Sequence, residues 1–235
     1  MKFNKQLTPS DKGDKRYYKR AFNTSWVKNL QHKPRLDMFY FFMDRFMPNE
    51  THSILDLGVT NLEDPMENIF EYYYPYKQNI VAAGIEDALF LEELYPGLRF
   101  VQVKSGVTLP FDDNEFDIGY SGATIEHVGA KKDQSFFLLE FIRVCKRVFL
   151  TTPNRWFPIE LHTRLPFVHW LPEKIYRKIL FKLGYKFYAS EKNLKILTVK
   201  LLKELVPPGT FSIEIKKHFF YGLPSNLLMT IEKEN

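Results

Sequence analysis

At 235 residues with a formal charge of +5, the chain is one large domain or one domain with an appended element, too mildly basic to mark a nucleic-acid binder. A hydrophobic share of 45% against 26% charged residues excludes disorder as the main state and leaves ample material for a core. The one cysteine, Cys145, excludes an intramolecular disulfide framework and a cysteine-rich zinc site, and it suits a reducing, cytoplasmic setting.

In chain order, residues 1–25 are polar and read as an extended arm, without the apolar segment of a secretory signal. Leu36, Phe39, Tyr40, Met43, Phe46 and Met47 recur at helical spacing, with Pro34 in a first turn and Pro48 as the stop. They predict a helix that covers a sheet edge. Apolar runs at 53–57, 80–85, 99–103, 116–120 and 148–151 predict strands, and helical patterns at 62–74, 87–95 and 135–145 alternate with them. Strands that are apolar throughout, joined by crossover helices, argue for a doubly wound α/β fold whose mostly parallel sheet is covered on both faces. A helix over 194–205 and two strands at 211–216 and 226–231, joined by a turn near 222–225, close the sheet with an antiparallel edge.

Residues 153–190 break this rhythm. Pro153, Pro158, Pro166 and Pro172 stand beside Trp156, Trp170 and seven Phe or Tyr residues, the composition of an inserted aromatic lid. Within it, residues 173–188 set Ile175, Ile179, Leu180 and Leu183 opposite Lys174, Arg177, Lys178 and Lys182. Such a helix either packs its apolar side on the domain or lies on an anionic membrane as a peripheral contact. No run approaches the ~18 apolar residues of a spanning helix.

Ligands of an open α/β sheet sit outside the carboxyl ends of its strands. At the first exit, Gly58 permits a tight turn against a ligand and Asp56 accepts from a cationic or hydroxyl group. Thr60 and Glu63 stand where a dinucleotide fingerprint needs glycines, which disfavours a pyrophosphate. At the second exit, Glu86 or Asp87 is placed either to accept from both hydroxyls of a ribose or to cap the helix that follows. The two exits together point to an adenosine without a diphosphate.

The third and fourth exits are the most specific. Ser105-Gly106-Val107 leads to Leu109-Pro110-Phe111, an acidic run, Phe116-Asp117, a strand with Ser121-Gly122 at its end, and then Glu126-His127-Val128. Over roughly residues 50–155 this succession resembles the class I S-adenosylmethionine-dependent methyltransferases of the small-molecule, type 11-like kind, and residues 149–160 and 165–172 look like a bacterial subgroup of them. The resemblance implies a seven-stranded Rossmann-like sheet, S-adenosylmethionine as cofactor and a small-molecule or glycolipid acceptor methylated at oxygen, with no nucleic acid. It would place Asp56, Gly58 and Thr60 along the methionine moiety and Glu86, aided by Asp87, on the ribose. Ser105, Gly106 and Val107 would border the adenine, with Ser121 and Gly122 beside the sulfonium. The glycine-rich loop usual in that superfamily is reduced here to Gly58, which motivates a second expectation, a non-catalytic binding protein on the same fold. A nucleotide-cofactor oxidoreductase is the third.

Methyl transfer is an in-line displacement, so alignment dominates and a base is needed only for a weakly nucleophilic acceptor. His127 is the candidate base, a packing role in the turn after the fourth strand being its other reading. Asn154, Arg155 and His162 are candidates for acceptor binding, with Glu160 and His169 nearby, and Arg155 suits a carboxylate or phosphate. Histidines seven apart do not form a metal pattern, and no metal is expected. The expected organisation is an arm and helical cap at 1–48, a cofactor-binding core at 49–152, a lid at 153–190 and completion of the same domain at 191–235.

Overall fold

The structure, a computed structural model, describes residues 25–234. The arm expected over residues 1–24 lies outside the described residues. Seven strands form one sheet: β1 (Ile54–Leu57), β2 (Ile80–Gly84), β3 (Arg99–Gln102), β4 (Phe116–Gly122), β5 (Cys145–Pro153), β6 (Phe211–Phe220) and β7 (Leu223–Lys233). Their order is β3-β2-β1-β4-β5-β7-β6, parallel through β5 and antiparallel at β7 and β6. This is the expected doubly wound α/β sheet with its antiparallel C-terminal edge.

β1 is buried at every position, as a central parallel strand must be when helices cover both faces. The sheet reverses direction of growth between β1 and β4, whose pairing sets Asp56 beside Tyr120, while Asp56 also faces Ala82 of β2. The strand exits at that point open toward one end of the sheet.

α1 (Ser25–Phe46) is where expectation and structure differ most. Pro34 lies inside the helix instead of in its first turn, so one backbone hydrogen bond is forgone; the docked face around it holds the helix together. Nor does α1 merely cover an edge. Phe42 meets Phe70, Tyr120 and Phe149 at ring-centroid distances of 5.5, 5.3 and 5.6 Å, which seats the helix on the face over β4 and β5. Arg45 then reaches the edge, bonding Glu232 at 2.5 Å and lying 3.7 Å from Glu214.

The remaining helices are shorter or longer than their sequence patterns. α2 (Ile69–Tyr73) replaces the helix expected over 62–74, because Pro65 disfavours helical backbone at Asp64, whose Oδ1 instead accepts from the Met66 amide at 3.0 Å. α3 (Phe90–Leu94) begins late because Asp87 caps the turn before it, accepting from Leu89 N at 3.1 Å. α4 (Lys131–Val144) runs without a loop into β5, burying Leu138, Phe141 and Ile142 on the sheet face opposite α1. α5 (Glu173–Lys182) and α6 (Val199–Lys203) follow. β6 and β7 are longer than predicted because the hairpin turn is only Tyr221-Gly222, both at positive φ (49° and 76°), which matches the twist of the strands it joins.

The aromatic segment at 153–190 has a small core of its own, built from Tyr176, Leu180, Tyr188, Leu194 and Ile196. α5 contributes Tyr176 and Leu180 inward and leaves Lys174, Ile175, Lys178, Phe181 and Lys182 exposed. Among the described residues no helix is long and apolar enough to cross a membrane.

Phe42 is fully buried at the centre of the α1 seam. Phe42→Ala is expected to cost about 3–5 kcal/mol in urea unfolding at neutral pH, and a loss below about 1 kcal/mol would show that this seam does not hold α1 to the sheet.

Candidate active site

One cavity of about 590 Å³ opens at the carboxyl ends of β1, β2 and β4, within the ~300–1,000 Å³ of small-molecule and cofactor sites. Asp56, Gly58 and Thr60 line it from the first exit, Glu86 from the second, and Ser105, Gly106 and Val107 from the third. Gly122 and His127 enter from the fourth exit and His162 from the aromatic segment. Ten of the expected residues thus share one space, while four do not.

Those four have structural duties. Asp87 is the exposed cap of the turn into α3. Ser121 is buried and donates to the Leu57 carbonyl at 2.7 Å, stapling β4 to β1. Asn154, also buried, donates to Pro224 O at 3.0 Å and accepts from Trp156 N at 3.1 Å. Arg155 turns outward to the Leu171 carbonyl at 2.9 Å, away from the cavity. His169 likewise binds Phe157 O at 2.7 Å and does not meet His162.

Gly58 has a different reason for being glycine than the one expected. Its φ of 110° disfavours any side chain, and a Cβ there would lie 2.2 Å from Thr124 Oγ1, so close packing of the turn on Thr124 already requires glycine.

The cavity has two polar ends. At one, Asp56 meets Glu71, an inward-facing residue of α2; both carboxyls are fully buried. Burial and then the neighbouring Glu71 raise the Asp56 pKa well above its ordinary value, and burial raises that of Glu71. Among the described residues no side-chain N–H or hydroxyl donor reaches either Glu71 oxygen, which leaves the Asp56 carboxyl as its side-chain hydrogen-bond partner. Tyr120 stacks on Phe70 at 4.5 Å beside the pair. Arg35 of α1, bonded to Glu67 at 3.1 Å, also reaches the cavity wall.

At the other end stand Glu126, His127 and His162. Glu126 is completely buried, accepts from the Thr152 hydroxyl at 2.8 Å, and has its pKa raised by burial. His162 Nδ1 lies 2.6 Å from Glu160 Oε1, and its Nε2 lies 3.0 Å from His127 Nε2. Burial, and then the His162 ring, push the His127 pKa down to about 3, so this imidazole is neutral at physiological pH. Burial alone would raise Glu160; His162 and the Thr163 donors outweigh it and hold the carboxyl down at about 2. A pKa that low makes His127 a weak base when acting alone, contrary to the expectation of a base near neutrality.

The third wall explains the Leu-Pro-Phe-acid motif. Arg143 of α4 bonds both oxygens of Glu140, the carbonyls of Leu109 and Phe111, and Asp113 Oδ1, all between 2.8 and 3.0 Å, while Glu140 accepts from Leu109 N at 2.8 Å. The loop that carries Ser105 to Val107 is thereby tied to α4. Burial opposes ionisation of Glu140, but the Arg143 bonds prevail and its pKa falls.

A methyltransferase domain family model matches residues 77–148 of the chain. Over that segment the chain is similar to methyltransferase domains. Among solved structures, a Methanosarcina mazei protein described as a SAM-dependent methyltransferase aligns over 81% of this chain and 96% of its own, at 18% identity and TM-score 0.50. A Thermotoga maritima SAM-dependent methyltransferase, described as a possible histamine N-methyltransferase, aligns over 89% and 92% at 13% identity and TM-score 0.52. The [4+2]-cyclase SpnF aligns over 92% and 86% at 14% identity and TM-score 0.56. At these identities the likeness is one of fold. No curated protein matches the chain in sequence at a significant level.

S-Adenosylmethionine is the cofactor this likeness implies, and the cavity suits it. A buried carboxylate pair lacking a cation is the complement of a ligand that carries an ammonium and a sulfonium. Sequence reasoning missed Glu71, although a carboxylate between Phe70 and the tyrosines of an apolar helix face was a readable signal. It also missed Arg35, because the helix containing it was read only for its apolar positions.

Two outcomes follow. A carboxyl whose pKa is raised on folding stabilises below its unfolded value and loses that contribution as pH rises through the folded value. The Glu71→Gln variant should therefore show a smaller fall in Tm between pH 5 and 8 than the wild type, both free of cofactor; equal slopes would refute a shared proton at the pair. Arg143→Leu should lower stability by about 1–3 kcal/mol in urea titration, since it strips charged hydrogen bonds from the loop.

Proposed function

We propose that the protein transfers the methyl group of S-adenosylmethionine to a hydroxyl oxygen of a small molecule or of a glycan- or lipid-linked precursor. The observation that carries this reading is the single cavity with a cation-seeking carboxylate pair at one end and a Glu-His-His cluster at the other. In it, Asp56 and Glu71 hold the ammonium, Glu86 accepts from the ribose hydroxyls, and the backbone of Ser105 to Val107 borders the adenine.

S-Adenosylmethionine supplies a methyl group made electrophilic by positive sulfur. The chain's share is alignment and exclusion of water. Phe157, Ile159, Leu161 and Tyr188 of the aromatic segment wall the acceptor end, where a dry pocket strengthens each electrostatic contact. As the oxygen–carbon bond forms, the sulfur–carbon bond breaks and its electron pair stays on sulfur. The hydroxyl proton passes to the Glu126, His127 and His162 cluster that rings this end, a shared acceptor rather than His127 alone. An oxygen acceptor fits this arrangement because a hydroxyl, unlike a free amine, needs its proton removed.

The two other expectations fare less well physically. Two buried carboxyls at the first strand exit repel the pyrophosphate of a nicotinamide or flavin cofactor. A purely binding role gives no reason to bury a Glu-His-His cluster at the far end of the pocket.

Glu71→Gln should weaken S-adenosylmethionine binding by roughly 10–100-fold in calorimetry, the worth of a charge-assisted bond. His162→Ala should leave that affinity unchanged yet abolish transfer of a trideuteromethyl label to small molecules of a cell extract, read by mass spectrometry. Failure of the wild type to bind S-adenosylmethionine would end the reading. A lipid-linked acceptor is favoured by one surface: exposed Lys174, Lys178 and Lys182 interleave with exposed Ile175 and Phe181 on α5. Co-sedimentation with phosphatidylglycerol vesicles, lost in Phe181→Ser, supports that acceptor class, and wild-type protein that stays in the supernatant dismisses it.

A further inference from the structure

The geometry points to a site for one divalent transition-metal cation, of the zinc, cobalt or manganese class, held by Glu126 Oε1, His127 Nε2 and His162 Nε2 at the acceptor end of the cavity. The site itself depends on these residues alone, whereas its role in acceptor activation rests on the methyl-transfer reading.

The hydrogen bonds of the two rings decide where their lone pairs lie. His127 Nδ1 is 2.9 Å from the Asn193 carbonyl oxygen, which can only accept, so that nitrogen carries the hydrogen. His162 Nδ1 is 2.6 Å from Glu160 Oε1, a carboxyl oxygen whose partner oxygen accepts from Thr163, so the ring nitrogen too carries the hydrogen. The two Nε2 atoms then face each other across 3.0 Å, a separation that one positive charge between them accounts for, either a proton held on His162 or a metal cation.

The surroundings are those of a ligand set. A ligating histidine donates its second ring nitrogen to a carbonyl or carboxylate, and here one ring does each. Glu126 Oε1 is buried without a hydrogen-bond partner among the described residues, while its Oε2 is fixed by Thr152. The ligand atoms of the three residues lie within 4.8 Å of one another. At tetrahedral angles, metal–nitrogen bonds of ~2.0–2.1 Å separate two nitrogens by roughly 3.3 Å, so the rings need open by only a few tenths of an ångström. Two imidazoles and a carboxylate suit a borderline cation; magnesium and calcium take oxygen ligands.

All three residues line the cavity, so a remaining coordination position faces the acceptor. A hydroxyl bound there is more acidic, so it loses its proton to solvent water on binding the metal, and His127 serves as ligand in place of receiving that proton.

The test uses the full chain, freed of metal by chelation and carrying no polyhistidine tag. Titration with zinc chloride in calorimetry should show one equivalent bound per chain, and cobalt substitution should give the visible absorption of a four- or five-coordinate site. Glu160→Gln, which leaves the ligands in place, should weaken zinc by roughly 10–100-fold. Glu126→Gln, which keeps the shape of the side chain, and His162→Ala should each remove the stoichiometric step. S-Adenosylmethionine binding, unchanged in all three variants, reports that they are folded. Wild-type protein that binds S-adenosylmethionine but neither zinc nor cobalt overturns the metal site, assigns the 3.0 Å contact to a shared proton, and leaves the methyltransferase reading standing. Zinc retained in Glu126→Gln and His162→Ala alike overturns it also. Zinc bound without any affinity for S-adenosylmethionine upholds the site and removes the methyl-transfer reading instead.

Discussion

Two carboxyl groups held together in an apolar wall govern this molecule. Asp56 points from the end of a strand buried at every position, and α2 brings Glu71 against it under a roof of Phe70, Tyr74 and Tyr120. Desolvating two such groups is costly, and among the described residues no cationic side chain hydrogen-bonds to Glu71 to offset it. Lys77 spends its ammonium on the carbonyls of Glu71, Tyr72 and Tyr74 and contributes only a distant field. A positively charged ligand therefore gains more here than it would from a neutral pocket. The aromatic seam of α1 keeps that wall dry, so the helix that seems to be a mere cover also sets the dielectric of the site.

How far the sequence reveals this depends on which level is asked. Parallel strands announce themselves by uninterrupted apolar runs, and all seven strands were legible, with errors confined to their ends. The errors at helices share one cause. Helical periodicity continues through residues that local chemistry removes from the helix, as Pro65 does before α2 and the Asp87 cap does before α3.

Site residues were legible where backbone position alone decides the role. Asp56 lies near the carboxyl end of β1, and Glu86 and the Ser105–Val107 segment follow β2 and β3, positions beside the crevice of an open sheet. Side-chain direction was not legible. Ser121 and Gly122 are neighbours, yet the pleat sends Ser121 into the β1 contact and leaves Gly122 on the cavity. Asn154 and Arg155 sit past β5, where the antiparallel β7 and the Leu171 carbonyl claim them. Glu71 escaped attention for the opposite reason, since it acquires meaning only from Asp56, a partner distant in sequence, and Glu126 was quoted in its motif without the role that Thr152 and His162 give it.

The reduced glycine loop follows from the same economy of space. In a glycine-rich exit, bare backbone makes room for the ligand, but here Thr124 packs into the position a Cβ on Gly58 would take. The Cβ side of that turn is therefore filled by the chain itself, while the Gly58 backbone still lines the cavity. Affinity for an adenosyl sulfonium must come instead from charge at Asp56 and Glu71 and from the Arg143-braced loop on the adenine side. Glycines beyond Gly58 would add freedom that this packing does not use, so Val59 and Thr60 can stand at the turn. Thr60 makes the replacement productive: its amide donates to Asn68 Oδ1 at 3.0 Å, and Asn68 returns a bond to the Leu62 carbonyl at 2.9 Å, fixing the segment that delivers Glu71. A loop that has lost its glycines has become the brace of the carboxylate pair.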